Sequence, residues 1–203
     1  MKTLKNLLLC ALLIPFITAA QPLEGLDFVS PFYDGLAAVK KNNEWAFINE
    51  KGELAINFRS DLVATPFGDD SYPVFKNQRC LISEIENGIS YFGYIDVLGN
   101  IIIEPQYLNA TNFENGRAVV LELMKEYVGK NDALDKNVAY DKYLEAAIDT
   151  NGSVLHYVTP ERYNVLLDKK FLKCPPTIRA KYISNTLYAH LNDDATWTLI
   201  SIE

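Results

Sequence analysis

The sequence predicts a mainly β protein, built from consecutive antiparallel β-hairpin repeats that form a twisted meander or an open barrel-like array. Three observations predict it. A motif of an aromatic residue, a short turn and an apolar strand recurs along the 203 residues. Each recurrence leads to an Asn or Asp three residues before a glycine: Asn49 to Gly52, Asp96 to Gly99, Asp149 to Gly152. Long helical stretches are hard to find, and self-similarity at this spacing marks one supersecondary unit reused along a chain.

The first copy runs Phe32 to Val39 and then Trp45 to Gly52, and the third runs Phe113 to Val120 and then Glu145 to Gly152. The second copy is read as Phe67 to Val74, followed by Phe92 to Gly99. Asp34-Gly35 and Asn115-Gly116 are two-residue hairpin signals. The second copy has Asp69-Asp70 in that place, so a looser turn or one of another type is expected there. In the second half of each unit the Asx side chain can bond backbone two residues on, and the glycine can take the left-handed conformation that closes the hairpin. Gly35, Gly52, Gly99, Gly116 and Gly152 are therefore the expected structural turns. Phe32, Trp45, Phe67, Phe92 and Phe113 are the expected buried aromatics of the repeat. Residues 75–91 and 121–143 read as insertions, the first with a strand at Gln78–Ser83 and a turn at Asn87-Gly88. The second reads as an extended hairpin with a polar tip near Gly129 to Lys136.

These residues resemble the WG-containing repeat family, whose units join an Asx-Gly turn and a Gly-Leu-Ala-x-Val strand to a Trp-Gly-Phe/Tyr-Ile-Asp-x-x-Gly hairpin. The resemblance covers residues 22 to 156, with units of about 22–56, 57–103 and 104–158. Departures fall on the name-giving pair: Phe92 and Glu145 replace the tryptophan kept at Trp45, and Ala46 and Ala147 replace the glycine kept at Gly93. The resemblance implies a bacterial β-repeat protein and assigns no activity.

Residues 1–20 read as a signal peptide: Lys2 and Lys5, an apolar stretch from Leu7 to Ile14, and Thr18-Ala19-Ala20 before the cleavage point. Cys10 sits inside the apolar stretch, and the residue before it is not small, which argues against a lipoprotein. The expected location is periplasmic or extracellular, with no membrane insertion after cleavage. Residues 21–158 form the repeat region and 159–203 a C-terminal cap, because terminal repeats are atypical. The net charge of −7 becomes more negative once the two lysines leave with the signal. That makes nucleic acid a poor partner. Cys80 and Cys174 could form one disulfide in an oxidising compartment, or stand as separate thiols.

No catalytic, cofactor-binding or metal-binding constellation is assembled from the sequence. Trp45 could stack on a ligand, but its equivalents Phe92 and Glu145 favour a core role. Asp149 to Ser153 lacks the alternating acids of a calcium loop. Asp69-Asp70 and Asp193-Asp194 read as solvated turns, and His156 and His190 as structural residues. Asn109-Ala110-Thr111 and Asn151-Gly152-Ser153 match a glycosylation acceptor that has no use in a bacterium. The expectation is a non-catalytic binding module with a protein or glycan partner at the cell envelope. The alternatives are a hydrolase with its site in the insertions or cap, and a structural envelope component.

Overall fold

The structure is a computed structural model that describes residues 23–131 and 136–202. Residues 1–20, read above as a signal peptide and containing Cys10, and the tip of the long hairpin lie outside the described residues. Among those described, all regular structure is strand, and the strands form several small antiparallel sheets with no closed barrel.

The first sheet holds β1 (Phe28–Tyr33), β2 (Leu36–Lys41), β3 (Glu44–Ile48) and β4 (Leu54–Arg59) in chain order. A small hairpin, β5 (Thr65–Phe67) with β6 (Asp70–Tyr72), precedes the second sheet of β7 (Cys80–Glu86), β8 (Ile89–Ile95) and β9 (Ile101–Tyr107). The third joins β10 (Arg117–Asn131), β11 (Lys136–Asp149) and β12 (Val154–Tyr157), with β13 (Tyr163–Asn164) added on β11. The last holds β14 (Ala180–Ser184), β15 (Leu187–Leu191) and β16 (Trp197–Ser201).

Backbone hydrogen bonds fix the register of the repeat and correct the reading of the second unit. Lys76 and Arg79 exchange both N–H···O bonds around Asn77-Gln78, as Glu114 and Arg117 do around Asn115-Gly116. Asn77 and Gln78 have φ of 52° and 61°, the left-handed pair also seen at Asp34 and Gly35. The carboxylate of Asp34 accepts from the N–H of Gln78 (2.7 Å), and the Asn77 side chain accepts from the N–H of Gly116 (3.0 Å). The true second copy is therefore Phe75 to Ile82, not Phe67 to Val74. Residues 75–91 are the body of the unit rather than an insertion. The inserted piece is the hairpin β5–β6, whose turn has positive φ at Gly68 alone among its two central residues, a different type from its sister turns.

The region read as a cap carries a further copy of the unit. Asn192 and Ala195 repeat the backbone bonds of Asn49 and Gly52, with Ala195 at φ 63° in the glycine position. Tyr188 stands where Trp45, Phe92 and Glu145 stand in the earlier units.

The second and third sheets each pack between two neighbours, so cores lie between successive units. Leu36, Ala38, Trp45 and Phe47 of the first pack with Phe75, Cys80 and Ile82 of the second. Leu81, Phe92 and Tyr94 pack with Phe113, Ala118 and Val120 of the third. Val119 and Ala147 pack with Ala180 and Tyr188 of the last. Alternation along β7 and β10 thus sends successive side chains to opposite cores, as expected where each unit contacts only its neighbours.

Candidate functional site

The expected core aromatics divide by position. Trp45, Phe92 and Phe113 are buried. Phe32 is 46% exposed, which corrects the expectation for that residue. The reason is its place at the start of the array. Phe75 packs edge-on against Phe47 of the unit before it (4.7 Å), and Phe113 against Tyr94 in the same way (4.7 Å). Among the described residues no unit precedes Phe32. Phe67 is half-buried in the inserted hairpin, between Tyr33 and Tyr72. Trp45 packs edge-on to Phe28 and lies under the ammonium of Lys40, so it offers no open stacking platform.

Gly52, Gly99 and Gly152 have φ of 78°, 84° and 86°, and Gly35 and Gly116 are also positive. The side-chain oxygens of Asn49, Asp96 and Asp149 each accept two backbone N–H groups within their turns. At Asp149 both bonds fall on Oδ1, so that oxygen already serves the turn. Gly93 has a separate requirement: a Cβ there would lie 2.3 Å from the carbonyl oxygen of Ile103. Cys80 is buried and Cys174 exposed, and both are free thiols; burial pushes the Cys80 thiol well above its ordinary value. Among the described residues no three His, Cys, Asp or Glu side chains are placed to hold a metal.

His156 and His190 both come to the junction of the last two units. The His156 ring packs edge-on against Tyr188 (5.1 Å), and burial holds its imidazole below the ordinary value, with Arg117 adding to the effect. His190 Nε2 faces Glu145 Oε2 at 3.6 Å. Glu145 is 2% exposed, and its other oxygen accepts the N–H groups of Arg179 (2.5 Å) and Ala180 (2.9 Å). A carboxylate in an aromatic slot is thus explained as an acceptor for the first strand of the next unit. Asp193 pairs with Arg179, and Asp69 lies in the exposed turn of the inserted hairpin.

A large concavity lies where sequence periodicity gave little signal. The paired strands β10 and β11 extend beyond their sheet as a long arm. The segment after β13 crosses the arm as a strap. Val165, Leu167 and Leu172 of the strap pack inward with Leu108 and Leu121. Leu166 and Phe171 face outward and are 64% and 70% exposed. Between strap and arm runs a cleft of about 690 Å³. Tyr140, Tyr143, Leu166, Phe171 and Pro175 give it an apolar lining, and Asp141 stands at its edge. Tyr163 stacks on Tyr143 (5.4 Å), and the Arg179 guanidinium lies over Tyr163, which fixes the strap to the arm. The short apolar runs Val165-Leu166-Leu167 and Phe171-Leu172 were the signal for this strap, but it forms only two residues of strand. Such clefts, apolar with a few polar groups, are the usual form of ligand sites.

No curated protein matches the chain, and no solved structure does. A family model does match, at residues 26–45 and 92–122. Both matched segments contain an Asx-Gly turn, while the intervening stretch holds Asn77-Gln78 and the inserted hairpin. The match falls on these turns, and over these two segments the chain is similar to the WG containing repeat.

Proposed function

We propose that the chain is an exported, non-catalytic binding module that holds an extended apolar segment of a partner protein in the cleft between arm and strap. The single observation that carries this is the cleft itself: about 690 Å³, apolar, with Leu166 and Phe171 left exposed on its rim. Exposed apolar side chains gathered at one concavity mark interaction sites more than scattered ones do. The apolar and aromatic lining favours a protein segment over a glycan, which needs hydrogen-bonding groups. The stacked units supply a scaffold, and the arm and strap decorate it, as binding elements on repeat proteins do. The leader pattern of residues 1–20 supports action at the cell envelope.

The test is capture from an envelope extract with the mature protein, compared with Leu166→Ser and Phe171→Ser. Both side chains are exposed, so both variants should fold. A partner retained by the wild type and lost by both variants supports the reading. Equal capture by all three removes the cleft as the contact surface. Turnover of a substrate that is lost on changing His156 or His190 would replace the reading with an enzymatic one.

A further inference from the structure

The arm has a second concavity on its other face. Glu122 and Leu144 are register partners across β10 and β11, and Met124 lies two residues along, so the three share a face. Tyr157 of β12, together with Thr159 and Arg162 beyond it, closes a cavity of about 290 Å³ over them. The floor is apolar: Met124, the buried Leu144 and the ring of Tyr157.

Two polar atoms at this cavity have no partner. Thr159 is 2% exposed, and its hydroxyl makes no hydrogen bond. Glu122 Oε2 is buried and makes none either. A buried polar atom without a partner is costly, and buried groups in native proteins are nearly always satisfied. Neighbouring cations do not meet the need among the described residues. Lys142 is committed to Glu126, and no Lys, Arg or His lies within ion-pair distance of Glu122. Among the described residues Arg162, exposed at the rim, has no carboxylate within that distance either, although its field helps hold Glu126 below the usual carboxylate range, behind the larger effect of Lys142.

We infer that this cavity binds a free α-amino acid with an apolar side chain. An ammonium group carries the donors that Glu122 Oε2 and the Thr159 hydroxyl lack. A carboxylate is the acceptor that the Arg162 guanidinium recognises with two parallel bonds. The side chain covers Met124, Leu144 and Tyr157. Charge decides between ligand classes: a simple anion meets Glu122, a simple cation meets Arg162, and a neutral sugar neutralises neither. A zwitterion pairs with the buried Glu122 oxygen through its ammonium and with the exposed Arg162 through its carboxylate. The volume lies at the small end of ligand pockets, which start at roughly 300 Å³. The site is separate from the cleft between arm and strap, so either can fail without the other.

Isothermal titration of the mature protein with L-leucine, L-phenylalanine, N-acetyl-L-leucine, L-leucinamide and glucose tests the inference. L-leucine or L-phenylalanine should bind, and loss of either charge in N-acetyl-L-leucine or L-leucinamide should weaken binding about tenfold or more, as for hydrogen bonds to charged groups. Glu122→Gln and Arg162→Gln should each weaken binding similarly while leaving the thermal midpoint in place. Leu166→Ser should bind as the wild type does. No heat from either amino acid at millimolar concentration, or binding unchanged in both charge variants, overturns the proposal. Glucose binding that depends on Glu122 would reassign the cavity to a polyol.

Discussion

At the junction of the second and third units, Phe92 and Tyr94 lie buried with Phe113 and Val120 in one apolar cluster. At the junction of the third and fourth, the slot equivalent to Phe92 holds Glu145, equally buried, bonded through one oxygen to two backbone N–H groups of the following unit. The two junctions share a backbone design and differ in chemistry. The first is held by area removed from water, which tolerates any apolar side chain of suitable size. The second has its own apolar cluster and adds directed bonds, which a nonpolar replacement of Glu145 cannot reproduce. A repeat can therefore lose its name-giving residue and keep its stacking, provided the new residue meets the orphaned groups of its neighbour.

The largest effect should appear where apolar stacking is complete. Phe113→Ala removes a fully buried ring and should cost about 3–5 kcal/mol in urea unfolding. Phe32→Ala, at the same motif position but without a preceding unit, should cost less than about 0.5 kcal/mol, as exposed substitutions usually do. Equal costs would break the assignment of the first unit as an open end of the described array. Next comes Gly93→Ala. A Cβ 2.3 Å from the Ile103 carbonyl oxygen forces backbone movement and should cost about 3 kcal/mol or more, at the upper end for overpacking. A near-neutral result would show that the β8–β9 bulge relaxes freely.

Glu145→Ala sharpens the comparison directly. It leaves the N–H groups of Arg179 and Ala180 without their acceptor and should cost about 1–3 kcal/mol. The loss should be local: faster amide exchange in β14–β16, with protection in β7–β9 kept, because units contact only their neighbours. Uniform loss of protection would mean that the fourth unit is not an independent increment of stability.

The fold class was legible because the Asx-x-x-Gly turns are local chemistry. Their geometry depends on residues within five positions, and the sequence displays all of them. The second unit's first turn was not legible because Asn77-Gln78 does the work of Asn-Gly with no glycine to mark it. The nearby Phe67 offered a decoy aromatic in nearly the right phase. The fourth unit was hidden for the same reason, since Ala195 takes the left-handed conformation that glycine signals elsewhere. The clefts were out of reach for a different reason. They depend on which face of the arm the strap and β12 cover, and that is set by packing between segments far apart in sequence. Glu145 was visible only as a missing aromatic; its partners lie 34 and 35 residues away.

The smallest predicted effect compares the turns of the first and second units. Asn49 and Asp96 make the same pair of bonds to backbone N–H groups, but only Asp96 titrates. Burial alone pushes the Asp96 carboxyl up. The N–H and side-chain amide of Asn100 and the N–H of Leu98 outweigh it, with a contribution from Arg79, and the carboxyl lies below its ordinary value. The folded state therefore holds this proton less readily than the unfolded chain does. The resulting stabilisation is fully present above the ordinary carboxylate range, near pH 4, and is lost as the pH falls through the lower folded value. Asp96→Asn gives the second turn the chemistry of the first, with an amide oxygen that accepts the same two bonds at any pH. Thermal midpoints measured from neutral pH down to about pH 2.5 should converge: the wild type starts slightly higher and falls more steeply below about pH 4. The difference should be small, because the turn is solvated and its bonds are exposed to water. Parallel curves over the whole range would mean that the Asp96 carboxylate adds nothing that an amide does not, and that the two turns are interchangeable.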